Sequence, residues 1–188
     1  MLQKIDKIFE DIKSFETQRL LLIPTTKDDF EFFRTMFTNK NIMEFSRLSH
    51  KKSVVDLKTD FERILSLKER KFLFVWKVIL KENNKLIGRI NIGSIVRKSS
   101  RLDLGFVLLP EFWSIGIMSE AVNEIIKYLF NDINIHKITA TTNNKNIRSK
   151  KLLEKFGFNL EGILKEHTYY AKQNRYIDEA SYGLLKKT

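Results

Sequence analysis

The sequence predicts a mixed α/β (α+β) fold: a mostly antiparallel central sheet of about seven strands, flanked by about four helices. Three observations lead there. Between Leu102 and Phe158 the apolar spacing runs strand, helix, strand, helix, which contains a βαβ unit whose crossover should be right-handed. Ahead of that unit, runs rich in β-formers are separated by short polar turns, as in an antiparallel meander. After it, alternation returns and holds to the end of the chain.

Taken in order, residues 2–15 place Ile5, Ile8, Phe9 and Ile12 at helical spacing. Residues 1–15 are therefore an N-terminal extension, either a helix lying on the domain or a frayed arm. Residues 16–188 form one domain. Arg19 to Pro24 is the first strand. Thr26 followed by Asp29 has the spacing of a capping box, so a helix starts there and continues through Phe30, Phe33 and Phe37. Residues 38–52 are polar and irregular. Val54 to Leu67 is a second helix, with Leu57, Phe61, Ile64 and Leu65 on one face.

Phe72 to Leu80 reads as a strand, Glu82-Asn83-Asn84 as a turn, and Leu86 to Ile92 as the return. A third strand runs from Arg101, its apolar run Leu102 to Leu109 ending at Pro110. From Met118 the apolar positions Ala121, Val122, Ile125, Ile126, Leu129 and Phe130 make one helical stripe. Ile138, Ala140 and Thr142 alternate with polar neighbours as a strand does. Asn146 can cap a helix that Gly157 ends in the left-handed conformation. Two strands follow, the second from Tyr176 to Leu185, joined by a turn at Lys172-Gln173-Asn174.

Composition narrows the function classes. With 188 residues and 43% apolar content the chain can bury a full core. The absence of cysteine excludes disulfides, thiolate zinc sites and a cysteine nucleophile. The three histidines lie far apart in sequence, so no metal site is expected; His50 and His136 read as surface or packing residues. No run of ~18 apolar residues suggests a membrane span. The N-terminus carries Asp6, Glu10 and Asp11, unlike a signal peptide, so a cytoplasmic location is expected. The net charge of +11 attracts polyanions such as nucleic acid, acidic lipid or nucleotide phosphates. A solvated lysine-rich surface explains it equally well, since the lysines form no long block.

Between the predicted strand 102–109 and the helix from Met118 lies a loop with one glycine, Gly116. A helix N-terminus carries about four unpaired N–H groups, and phosphates bind there. One glycine more often only makes a turn. The ordered set around it is more specific: Glu16-Thr17-Gln18-Arg19-Leu20-Leu21-Leu22, Leu104-Gly105-Phe106, Trp113 to Ala121, Asn146-x-x-Ser149, Leu153-Glu154-x-x-Gly157-Phe158, Leu160-Glu161-Gly162 and Asp178. This set resembles the GNAT superfamily of acetyl-CoA-dependent N-acetyltransferases. Within it, the similarity is greatest to the branch that acetylates N-terminal amines of ribosomal proteins. It covers the chain from about residue 15 to 186.

The resemblance implies acetyl-CoA as cofactor and an amine as acceptor. It implies that strands 102–109 and 137–142 splay apart to admit the pantetheine arm, and that the two helices in 26–67 border the acceptor site. The loop Trp113, Ser114, Ile115, Gly116, Ile117 and Met118 should wrap the pyrophosphate. Here Ser114 stands where the family has its first glycine, and Glu111 where it has a glutamine or arginine. Ser114 fits if its φ is negative, and Glu111 should point away from the phosphates. An N–H around Val107, Leu108 or Leu109 is the expected oxyanion donor. The tyrosine acid of many family members is replaced by Leu153. Ser149 is then the candidate proton donor to the sulfur, or simply a first-turn serine. Asn146 would cap the helix and bond the pantetheine amide. Asp103 is the candidate base, or a salt-bridged strand acid; Glu166 and His167 are alternatives.

The acceptor expected is the N-terminal amine of a protein, such as a ribosomal protein, which would bring the enzyme near the ribosome. The alternatives are a small amine (an amino acid, a polyamine or an antibiotic) or a module that binds acetyl-CoA or RNA without turnover. Monomer and homodimer are both open.

Overall fold

The computed structural model describes residues 3–45, 53–170 and 174–186. His50 and the turn residues Lys172 and Gln173 lie outside them. Eight strands form one sheet: β1 (Phe15–Glu16), β2 (Leu20–Pro24), β3 (Phe74–Leu80), β4 (Lys85–Val96), β5 (Arg101–Leu108), β6 (Lys137–Asn143), β7 (Asn159–Tyr170) and β8 (Arg175–Leu185). Among the described residues six helices accompany it: α1 (Gln3–Glu10), α2 (Phe30–Thr38), α3 (Lys40–Met43), α4 (Val54–Glu69), α5 (Ile117–Asn131) and α6 (Ile147–Lys155). The strand order is β1-β2-β3-β4-β5-β6-β8-β7, and β5–β6 is its one parallel pair. The elements expected from the sequence are all present. Three go beyond the expected seven strands and four helices. Residues 3–10 are a docked helix, β1 is only two residues long, and α3 occupies part of the polar stretch after α2.

Local chemistry explains the boundaries. The Asp29 carboxylate accepts from Thr26 N at 2.8 Å, which starts a 3₁₀ turn leading into α2. Asn39 ends α2 and caps α3, its side chain accepting from the N–H groups of Asn41 and Ile42. Ser53 and Asp56 close a reciprocal capping box on α4. Gly157, at φ +81°, ends α6 in the left-handed region.

The sheet separates two cores. One face of β3 turns Phe74 and Trp76 toward α1 and α5, where Phe9, Phe15 and Tyr128 meet them edge-on or tilted. The other face is covered by α2 and α4 through Phe33, Met36, Phe37 and Phe61. The N-terminal helix buries Ile5 and Ile8 and is tied down by Arg97 on Asp6 at 2.8 Å.

The feature that positions the site is a split in the sheet. Only Arg101, Leu102 and Asp103 pair with Lys137, Ile138 and Thr139. Beyond them β5 continues along β4, and β6 continues along β8. The edges of residues 104–108 and 140–143 that face each other are left unpaired, so backbone donors and acceptors line a gap.

Candidate active site

The split opens into a groove of roughly 620 Å³, the size of a cofactor site. Its walls come from both unpaired edges, the loop 113–118, the first turns of α5 and α6, and the ends of α2 and α3.

The register selects which N–H groups of β5 face the gap. Leu109 N donates to Ile87 O at 2.9 Å, so Leu109 and Ile87 are a hydrogen-bonded pair. Antiparallel pairing alternates, which turns the Val107 N–H toward Arg89 and the Leu108 N–H toward the gap. The Leu108 carbonyl agrees, accepting from Trp113 Nε1 at 2.8 Å on the open side. Of the three expected donors, Leu108 is thus the one with a free N–H. Val107 lines the groove, whereas Leu109 is buried in the smaller core.

The loop is held from two sides. Trp113 is extended at φ −72°, and Ser114 follows at φ +64°. The condition set above for Ser114, a negative φ, is not met. The turn after Trp113 instead has the type II pattern, which requires a positive φ at its second central residue. A side chain there costs about 1 kcal/mol relative to glycine. Gly116 is also left-handed, at φ +82°, and caps α5. Ile115, between them, points outward and is 56% exposed. Glu111 pairs with Lys85 at 3.2 Å and does not line the groove, as expected for an acid beside a phosphate loop.

A clip from the N-terminal motif fixes this junction. Glu120, in the first turn of α5, accepts from Thr17 Oγ1 at 2.5 Å, Arg19 N at 2.8 Å and Arg19 Nε at 2.7 Å. Arg19 Nη1 also donates to the Ile115 carbonyl at 3.2 Å. Burial alone would raise the Glu120 carboxyl, but the bonds from Thr17 and Arg19 outweigh it and hold its pKa below the usual value. From the other wall, the Arg148 guanidinium lies 4.8 Å from the Trp113 ring centre. Lys155 Nζ reaches Ser119 Oγ at 3.4 Å. Lys151 lines the groove with them, and Arg148 and Lys155 lie next to the α5 N-terminus. A helix end, a backbone loop and three cations suit the phosphates of a nucleotide cofactor.

On α6, Asn146 caps the helix by accepting from Ser149 N at 3.1 Å. Ser149 therefore supports the cap with its backbone, and its side chain lines the groove. Glu154 accepts from the Tyr182 hydroxyl at 2.8 Å; burial and this bond push that phenol up to about 12.

Asp103 is not on the groove walls. It sits at the last paired position of the β5–β6 ladder, where the Thr139 hydroxyl donates to it. Glu166 and His167 are exposed on β7 and do not line the groove either. Asp178 braces β7 from outside, pairing with Lys165 at 2.8 Å and accepting from Glu166 N at 3.0 Å. The acid that does face the groove is its neighbour Glu179, 1% exposed. Arg89, Arg148, Lys151 and Lys155 are further charged groove residues missed by sequence reasoning; Arg89 enters the groove from β4 beside Val107. The signal for Glu179 was an acid in β8 on the face opposite Ala180 and Tyr182. Arg89 gave none beyond a cation between Gly88 and Ile90 in an apolar strand.

Comparison with known proteins agrees with this architecture. Residues 19–159 match the family model described as an acetyltransferase (GNAT) domain. The uncharacterized N-acetyltransferase YoaA of Bacillus subtilis is 28% identical over 171 residues, covering 91% of this chain and 96% of that protein. Spermidine N(1)-acetyltransferase of Vibrio cholerae is 26% identical over 169 residues, covering 89% and 94%. The crystal structure of ribosomal-protein-S5-alanine acetyltransferase from Vibrio fischeri superposes with a TM-score of 0.80 at 23% identity, covering 93% and 97%. The split sheet, the loop at the head of α5 and the family match together make this chain a member of the GNAT acetyltransferase family, an acyltransferase that uses acetyl-CoA to acetylate an amine.

Proposed function

We propose that the chain acetylates the N-terminal amine of a protein, such as a ribosomal protein. The observation that carries this reading is the charge of the groove walls. Among the described residues Glu179 is their one acid, against Arg89, Arg148, Lys151 and Lys155. A polyamine would want convergent acids, whereas a protein N-terminus brings one cation among neutral backbone groups. The net charge of +11 suits work beside ribosomal RNA.

Acetyl-CoA, when bound, supplies an acetyl thioester. The loop from Trp113 to Met118 would hold its pyrophosphate through backbone N–H groups, aided by Arg148, Lys151 and Lys155. The Asn146 side chain and the free edges of β5 and β6 would hold the pantetheine amides. The Leu108 N–H would bond the thioester oxygen, an interaction worth ~3 kcal/mol where negative charge develops. Ser149 Oγ would give a proton toward the sulfur. The incoming amine must first lose a proton. Glu179 lies on the groove wall and Asp103 does not, so we assign that proton to Glu179. Asp103 is left with an orienting role at the end of the β5–β6 ladder, through Thr139.

The test is thiol release from acetyl-CoA against a panel of peptides beginning with Ala or Ser, free amino acids and polyamines. Activity on the peptides is expected. Activity only on small amines would keep the chemistry and change the acceptor, a reading favoured by the long match to a spermidine acetyltransferase. Acetyl-CoA binding with no product from any amine would overturn both in favour of a non-catalytic module.

A further inference from the structure

The groove wall beneath α2 contains a cation without a carboxylate partner among the described residues. Arg89 lies on the β4 face covered by α2, next to Val107 in register and 5.6 Å from the Phe37 ring centre. Its Nη1 donates to the Asn91 side chain at 3.3 Å, and its Nε is shielded from solvent with no acceptor. The small cavity beside it is also lined by Asp29, but that carboxylate is taken by Lys77 at 2.8 and 3.0 Å. No carboxylate among the described residues forms an ion pair with Arg89. Neutral partners such as Asn91 satisfy single N–H groups and do not neutralise the charge. Arg89 is half-buried, with its inner Nε shielded; this desolvation lowers its pKa to about 10, so the site disfavours the charge it nonetheless carries at neutral pH.

Buried cations in proteins are normally paired. Leaving the Arg89 Nε shielded from water and without an acceptor is unfavourable, and a ligand that bonds the guanidinium from the groove would relieve that cost. The guanidinium fork matches a carboxylate better than it matches any other common group on an amine-bearing molecule. Arg89 shares the groove walls with Glu179, the acid assigned above to the amine.

We propose that Arg89 is a carboxylate-binding residue of the acceptor site, so that the preferred acceptor carries a carboxylate near its reactive amine. This rests on the reading of the groove as an amine-acetylating site. The carboxylate comes either from an acidic side chain in the first residues of a protein N-terminus or from the α-carboxylate of an amino acid. Polyamines lack it.

The experiment uses matched pairs that differ only in charge. Peptides with Glu or Gln at the second or third position form one arm, and amino acids against their amides the other. Binding to the full chain is measured by calorimetry with and without CoA, and thiol release from acetyl-CoA is followed in parallel. The acid member of a pair should bind about tenfold or more tightly than its neutral twin. The arm showing the preference identifies the source of the carboxylate. Arg89→Gln and Arg89→Met should abolish the preference, so that the acid member of each pair binds no more tightly than its neutral twin. Equal binding of acid and neutral members by the wild type overturns the proposal, as does binding of none or a preference that survives in a folded Arg89 variant. Binding of the acids without acetyl transfer would sustain the Arg89 assignment and overturn the catalytic reading, so the two fail separately.

Discussion

Ser149 and Ser114 do different work, and each can be tested alone. Ser149 supports its helix cap through its N–H, so Ser149→Ala leaves the bond to Asn146 intact. Turnover should fall about tenfold or more, with acetyl-CoA affinity and thermal stability nearly unchanged. Steady-state kinetics and calorimetry separate the two readouts, and an unchanged turnover would reduce Ser149 to its place in the first turn. Ser114 sits at φ +64°, where a Cβ is unfavourable. Ser114→Gly should stabilise the protein by about 0.5–1 kcal/mol in denaturant titration. Weaker acetyl-CoA binding in that variant would show that the hydroxyl itself bonds the cofactor.

At the level of elements, the sharpest dependence is between the N-terminal motif and the head of α5. Thr17 and Arg19 reach Glu120 from a segment roughly a hundred residues away, and Arg19 also holds the loop at Ile115. The Arg19 side chain is 41% exposed, so its ion pair alone contributes little; the 18% exposed Glu120 with three donors contributes more. Glu120→Gln should cost about 1–2 kcal/mol and raise the KM for acetyl-CoA, because the loop loses its anchor. The pH dependence follows from the depressed pKa. The Glu120 contribution is fully present above its ordinary value of 4.5 and is lost as pH falls through the lower folded-state value. The glutamine variant should lack that part of the acid limb, as urea midpoints at pH 3–6 would show. A variant with the wild-type acid limb would place the carboxylate's role elsewhere.

Across the whole molecule, charge and topology act together. The cations Arg148, Lys151 and Lys155 gather on one wall within a chain of net charge +11. Acetyl-CoA binding should therefore weaken severalfold when ionic strength rises from about 0.05 to about 0.5 M, because screening lengths fall below the separations involved. Salt-independent affinity would mean that backbone N–H groups alone hold the phosphates. The groove itself is a product of topology. β5 and β6 are joined by α5 and meet only over three residue pairs before each follows its other neighbour.

The periodicities of the chain were enough to place the principal strands and helices, because burying one face of each element forces a repeat of 2 or 3.6 onto the residues. They were enough also for Asn146, Gly157 and the loop around Gly116, whose backbone demands select particular residue types. Glu179, Arg89 and Glu120 were not legible in the same way. Each is an ordinary charged residue in its own element, and its meaning comes from partners or walls supplied by distant segments. The choice of Leu108 over Leu109 as free donor likewise depended on hydrogen-bond register with β4, which no local pattern encodes. Sequence by itself determined the elements and the family. The tertiary structure decided which N–H groups and which charges face the groove, because those depend on long-range pairing and on desolvation rather than on local spacing.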